Sequence, residues 1–144
     1  MREITPKNIA ARVRAIDWTE VASDLDARGN ALIRGLISPA ECRAIAGWYV
    51  RDELFRSRVI MARHGYGRGE YRYFSYPLPD LVDRLRSTLY PRLADIANRW
   101  YEHMRMDVRF PGQHEGFLAR CHAAGQKNPT PLMLQYAAGD YNCL

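Results

Sequence analysis

Residues 129–144, PTPLMLQYAAGDYNCL, decide how this chain is read. Leu132-Met133-Leu134-Gln135-Tyr136 is a short apolar run with an aromatic end, bounded by Pro131 and by Ala137-Ala138-Gly139-Asp140. An apolar run of that length between turn formers predicts a buried strand followed by a turn. The turn has a mechanism, because Gly139 can take positive φ and the Asp140 carboxylate can bond its own backbone. Tyr141 then opens a further strand, which reaches the last residue, Leu144. A strand without its partner predicts a domain that is incomplete at its C-terminal end.

Upstream, Arg58-Val59-Ile60-Met61-Ala62 predicts a strand, and residues 71–76 predict another. Between them lies Arg63-His64-Gly65-Tyr66-Gly67-Arg68-Gly69-Glu70, with three alternate glycines that make a permissive loop. The loop has no G-x-x-x-x-G-K-[ST] phosphate motif, and no helix follows it as a dinucleotide fingerprint requires. Arg63, His64, Arg68 and Arg72 stand among Tyr66, Tyr71, Tyr73 and Phe74. Arginines interleaved with aromatics can clamp a phosphate backbone and stack a base. An exposed hairpin with a solvated basic face fits the same residues, and both readings stand at this point.

The rest of the chain reads as helices with one further strand. Ile9, Val13 and Ile16 mark a short amphipathic helix over residues 7–16. A second helix opens at Asp17-Trp18-Thr19-Glu20 and runs through Val21 and Leu25 to a cap at Gly29. Both are expected to form a helical layer on a sheet. Ala31-Leu32-Ile33-Arg34 predicts a strand. Ser38-Pro39-Ala40-Glu41 is a helix start with a capping box, and its apolar stripe is Cys42, Ile45, Ala46 and Tyr49. Cys42 is therefore expected in the core. A long helix is predicted over residues 79–104, kinked or restarted at Pro91 and backing the sheet. Its stripe is Leu81, Val82, Leu85 and Leu89, continued by Leu93, Ile96, Ala97 and Trp100. A last helix spans residues 115–124 and ends at Gly125.

Composition bounds the function. The chain has 144 residues and 47% hydrophobic residues, which suits one globular domain over residues 1–144. The net charge is +5, and of 21 basic residues only Lys7 and Lys127 are lysine. Arginine suits bidentate contacts with phosphate or carboxylate, so a nucleic-acid partner is allowed. Cys42, Cys121 and Cys143 are odd in number and widely spaced, which speaks against a zinc site or a disulfide framework and for reduced thiols in the cytoplasm. No apolar run approaches a membrane-spanning length, so no membrane partner is expected, and the N-terminus has no secretory h-region.

Several stretches together carry a resemblance: Ser38-Pro39-Ala40-Glu41-Cys42, residues 55–59, residues 61–65, residues 67–71, Tyr90-Pro91-Arg92-Leu93 with residues 97–100, and residues 129–144. The chain resembles the prolyl-hydroxylase-like 2-oxoglutarate/Fe(II) oxygenases, and within them a bacterial family described as acting on damaged or methylated DNA. The resemblance implies an α+β fold, with helices packed on a double-stranded β-helix, or jelly roll, that these residues leave incomplete. It implies Fe(II) and 2-oxoglutarate as cofactors of the complete enzyme, and hydroxylation or oxidative demethylation as its reaction. It places Tyr136 and Tyr141 at the 2-oxoglutarate pocket and Arg63, His64, Arg68, Arg72 and Tyr73 on a substrate-facing segment. Damaged DNA is the implied partner.

The departure from the pattern concerns the metal. A non-haem iron site needs two histidines and a carboxylate. His64, His103, His114 and His122 are followed by Gly-Tyr, Met-Arg, Glu-Gly and Ala-Ala, so no H-x-D or H-x-E exists. The H-x-D, the distal His and the 2-oxoglutarate-binding Arg are expected beyond Leu144. No cofactor is expected on this chain alone, no catalytic or metal-ligating residue is assigned, and the chain is expected to be inactive by itself. The alternatives are a non-catalytic basic nucleic-acid-binding module and a truncated remnant.

Overall fold

The computed structural model describes residues 8–143. Lys7 and Leu144, which bound two of the predicted elements, lie outside the described residues. The chain forms two compact units, each assembled from two stretches of sequence. The first is Met1–Glu41 with Asp80–Lys127, and the second is Cys42–Pro79 with Asn128–Leu144.

The first unit is helical. It holds α1 (Ile9–Arg14), α2 (Trp18–Arg28), the start of α3 (Pro39–Trp48), α4 (Asp80–His103) and α5 (His114–Ala123). Asp17 caps α2 by accepting from the Thr19 and Glu20 amides, and Gly29 ends it at φ 72. α1 packs on α4, and the buried residues of the two helices are Ile9 and Val13 on α1 and Leu81, Ala94 and Ile96 on α4. Each large apolar side chain so buried contributes about 1.5–3 kcal/mol. The Asp26 carboxylate ties α2 to α4 by accepting from Arg99 at 2.8 and 3.0 Å and from Trp100 Nε1 at 2.6 Å. Within the unit, then, the partners of α1 and α2 are helical, whereas the sequence predicts a sheet beneath them.

Two local expectations change in this unit, and a third narrows to one of its alternatives. Residues 31–34 form no strand but an irregular segment turning at Arg34 and Gly35, with Leu32 69% exposed. A run as short as Ala31-Leu32-Ile33-Arg34 makes a strand only where another strand can take its backbone groups. α4 runs through Pro91 as one helix without a restart. The carbonyl of Ser87 loses its amide partner there, and Ser87 is exposed where water can replace it. Leu93 is exposed and the buried position falls on Ala94, one residue on.

The second unit carries the strands. β1 (Phe55–Ile60), β3 (Glu70–Phe74) and β4 (Leu132–Gln135) form an antiparallel sheet in the order β1-β3-β4. β2 (Gly67–Arg68) and β5 (Tyr141–Asn142) form a separate two-stranded ladder. The fold is thus mixed, with helices and small antiparallel sheets, and no barrel is present among the described residues. β1 starts three residues before its predicted position because Phe55 pairs with Phe74, and Met61–His64 is a 3-10 turn.

The core of this unit is aromatic. Phe55 stacks on Phe74 at 4.8 Å, Trp48 meets Phe74 edge-on at 6.5 Å, and Tyr49 lies 6.1 Å from Phe55. The stripe of α3 is therefore phased on Ile45, Trp48 and Tyr49, and Cys42 is exposed, contrary to its predicted core position. One residue of offset rotates a side chain by 100° around a helix. β4 is half-exposed, not buried, because it is an edge of its sheet, and Tyr136 falls just outside it. No helix among the described residues is long and apolar enough to cross a membrane.

Candidate functional site

The tail and the glycine-rich loop meet. β5 pairs with β2, setting Tyr141 opposite Arg68 and Asn142 opposite Gly67. Two of the loop glycines permit that approach. A Cβ on Gly67 would run into the Tyr141 carbonyl, and one on Gly69 would lie 2.8 Å from Tyr136 Cδ1. Their φ angles, 115 and 133, also belong to glycine.

The turn between β4 and β5 closes as its sequence predicts. The Asp140 amide donates to the Ala137 carbonyl at 3.0 Å, the Ala137 amide donates to Asp140 Oδ2 at 2.8 Å, and Gly139 has φ 82. The other carboxylate oxygen of Asp140 meets Arg68 Nε at 2.9 Å. Tyr66 is fixed on both sides, its amide donating to the Met61 carbonyl at 3.1 Å and its carbonyl accepting from the Cys143 amide at 2.8 Å. Its ring stacks on His64 with centroids 5.3 Å apart and 20° between planes.

The second unit therefore brings together Tyr66, Arg68, Tyr136 and Tyr141, with His64 stacked on Tyr66 and Arg63 next to His64 in the same 3-10 turn. Tyr66, Tyr136 and Tyr141 are 49%, 45% and 59% exposed. Arg63, His64 and Arg68 are exposed as well. This brings the two tyrosines predicted for a cofactor beside three of the residues predicted for a substrate. Tyr66 was not singled out as a site residue; its place between two glycines in the loop is the signal that marks it.

Arg72 and Tyr73 stand apart from that group. Arg72 lies on the sheet face that meets α3. It donates to the Tyr49 carbonyl and to Asp52 Oδ1, each at 2.7 Å, and its guanidinium lies 4.5 Å from the Phe55 ring centre. Its side chain is 13% exposed, and its Nε is buried without a partner. Next to it Arg58 pairs with Glu70, which holds the Glu70 carboxyl below its usual range. Burial, aided by the Glu70 charge, pushes the Tyr49 phenol up to about 12. Tyr73 projects from the other face, edge-on to Tyr71 at 5.6 Å, with the Arg56 guanidinium 4.6 Å over its ring. Arg56 also donates to the Pro129 carbonyl at 3.1 Å. It occupies the irregularity in register between Phe55 and Ser57, which nothing in the sequence marks.

The described residues contain no group of three His, Cys, Asp or Glu side chains able to hold a metal. They do not fit an iron site by themselves. His114, the buried histidine, belongs to the helical unit and packs on Tyr90 at 5.3 Å. Two open hollows of about 480 and 830 Å³ are also lined by the helical unit, and none of the residues gathered above borders either. The gathered group is an open surface.

Comparison with known proteins bears on what such a surface is for. Residues 69–144, more than half of the chain, match a family model described as an oxygenase catalysing oxidative methylation of damaged DNA. Two uncharacterised proteins of Mycobacterium tuberculosis, from strains CDC 1551 / Oshkosh and H37Rv, are each 41% identical to this chain over 71 residues. That segment is 49% of this chain and 30% of each relative, so the chain spans under a third of their length. No solved structure matches. The matched region contains Arg72, Tyr73, Tyr136 and Tyr141, and Arg63, His64 and Arg68 precede it.

Proposed function

The chain belongs to the family of oxygenases described as catalysing oxidative methylation of damaged DNA, and from that premise we propose that it forms the nucleic-acid-facing part of a 2-oxoglutarate/Fe(II)-dependent oxygenase. The observation that carries the proposal is the ladder that sets Arg68 against Tyr141 beside the exposed Tyr136, Arg63 and His64. Arginine supplies phosphate contacts and the rings supply base contacts. The basic balance of +5 favours the same partner electrostatically.

The cofactor chemistry, oxidation of a methyl or other carbon on a damaged base, belongs in this reading to the complete enzyme. The reading assigns the iron ligands to residues outside these 144, in keeping with relatives of which the shared segment is 30%. Tyr136 and Tyr141 remain the residues proposed to face 2-oxoglutarate, each through its hydroxyl, since an exposed phenol can donate a hydrogen bond to a carboxylate and still offer its ring face to a base.

The test is binding of a labelled oligonucleotide, unmodified or N-methylated, to the 144-residue protein across a salt series. Binding is expected to weaken as salt rises and to drop when Arg63→Gln and Arg68→Gln are combined. Absence of binding to either oligonucleotide at low salt overturns the proposal. Succinate formation from 2-oxoglutarate by this chain alone, abolished by a chelator, would overturn the assignment of the ligands elsewhere.

A further inference from the structure

We infer that the surface around the β2–β5 ladder takes an unpaired strand of DNA in preference to a duplex. Bases stack on Tyr66 and Tyr141, while Arg63 and Arg68 hold the phosphates. The inference rests on the nucleic-acid reading above and narrows its substrate.

The geometry selects for strand form. In a duplex, base faces are covered by their neighbours and only edges are offered in the grooves. A reader of edges inserts a helix or a long two-stranded ribbon into the major groove. The gathered group has neither, because β2 and β5 are two residues each. What it offers instead is three tyrosine rings, each close to half exposed or more. A ring face is the partner of another π face, and an unpaired base supplies one whatever its sequence.

The platform is also pre-ordered. Tyr66 is pinned through its own amide and carbonyl and already stacked on His64, so little freedom remains to be lost when a base arrives. Tyr141 is held by the ladder, and Tyr136 by its contact with Gly69. Asp140 engages Arg68 through Nε, which leaves the two terminal nitrogens of that guanidinium for a phosphate. The Asp140 carboxylate is itself occupied by Arg68 and the Ala137 amide. Cross-strand neighbours lie about 5 Å apart, so one ring and one cation meet one nucleotide.

The experiment compares the 144-residue protein's affinity for a labelled oligothymidine of about 16 nucleotides with that for a duplex of equal length at the same salt. The single strand is expected to bind at least about 10-fold more tightly, the stacking of one or two bases being worth that much. Tyr66→Leu and Tyr141→Leu are each expected to weaken it about 5- to 100-fold with an unchanged salt slope. Tyr66→Phe and Tyr141→Phe should bind like the parent, because stacking needs the ring and not the hydroxyl. Equal or tighter binding of the duplex, or leucine variants that fold and bind as the parent does, overturns the inference and leaves the nucleic-acid reading standing. Binding of neither form overturns both. If the leucine variants do not fold, the strand-against-duplex comparison on the unaltered protein decides.

Discussion

The ring of Tyr136 lies directly against the backbone of Gly69, where a Cβ would come within 2.8 Å of Cδ1 and 3.2 Å of the Gln135 carbonyl. At Gly67 the obstacle is the Tyr141 carbonyl, which is backbone and cannot swing aside. Alanine at either position also inherits a positive φ, a strain of about 1–3 kcal/mol. Gly67→Ala is therefore expected to open the β2–β5 ladder. Gly69→Ala should chiefly displace the Tyr136 ring. Urea unfolding of the single variants and of each combined with Tyr136→Ala checks the distinction. Removing the ring should recover part of the loss at Gly69 and none at Gly67. Equal recovery at both positions would show that φ strain alone sets the cost.

Arg72 is held within the fold, unlike the arginines proposed to bind. Its cation is held between Tyr49, Asp52 and the Phe55 ring at 13% exposure. Arg72→Ala removes those hydrogen bonds and the packing of the stem, with an expected cost of about 2–4 kcal/mol. Oligonucleotide affinity of the folded fraction should stay near that of the parent. Arg63→Gln with Arg68→Gln should do the reverse, leaving the unfolding free energy within about 0.5 kcal/mol and weakening binding. An Arg72 variant of full stability that lost binding would return this residue to the interface.

The tail was legible because each of its signals is local. Pro131, Gly139 and Asp140 mark the turn, and the structure closes it there through the Asp140 carboxylate and the positive φ of Gly139, although β4 ends one residue early and is half-exposed. The capping box at Ser38 and Glu41 and the caps at Asp17 and Gly29 were legible for the same reason. What the sequence hides is partnership. Nothing local says that β5 pairs with β2, that residues 31–34 lack a neighbour, or that Arg72 faces α3 while Arg68 faces solvent. Arg72 and Arg68 look alike in sequence, and what separates them is the element each falls on, β3 against Tyr49 and Asp52 for Arg72 and the exposed β2–β5 ladder for Arg68. Of the stretches that carry the resemblance, residues 90–93, 97–100 and 129–144 lie inside the region the family model matches, and residues 38–42, 55–59 and 61–65 lie outside it.

His114 should make the helical unit sensitive to mild acid. Burial lowers its pKa from the ordinary 6.5, with Arg86 adding to the shift and Asp83 and Glu115 opposing it. A histidine held neutral in the folded state gives stability that is complete above 6.5 and declines as pH falls toward the lowered folded value. Thermal midpoints measured between about pH 7.5 and 5 should fall in that interval. His114→Gln should flatten the decline while lowering the midpoint at neutral pH. A decline of the same size in the variant would assign it to another group.

Glu41 sets the response at lower pH. Its carboxylate, 4% exposed, accepts from Arg12 at 2.7 and 3.1 Å and from the Ser38 amide at 2.8 Å. The Ser38 hydroxyl accepts from the Glu41 amide at 3.2 Å, completing the capping box. The Arg12 hydrogen bond, with help from Ser38, holds the carboxyl down at about 2 against an ordinary 4.5. A depressed carboxyl gives stability that is complete above the unfolded value and is lost as pH falls from 4.5 toward 2. Glu41→Gln removes the ion pair and should cost about 1–3 kcal/mol at neutral pH. The difference from the parent should shrink as acid protonates the native carboxylate. Ser38→Ala removes the cap, about 1 kcal/mol, and one of the smaller causes of the Glu41 shift, so it should lower the whole curve and lessen its acid slope far less than Glu41→Gln does. Acid unfolding of the three proteins side by side tests this, and parallel curves for the parent and Glu41→Gln would show that the Arg12 pair does not govern the acid limb.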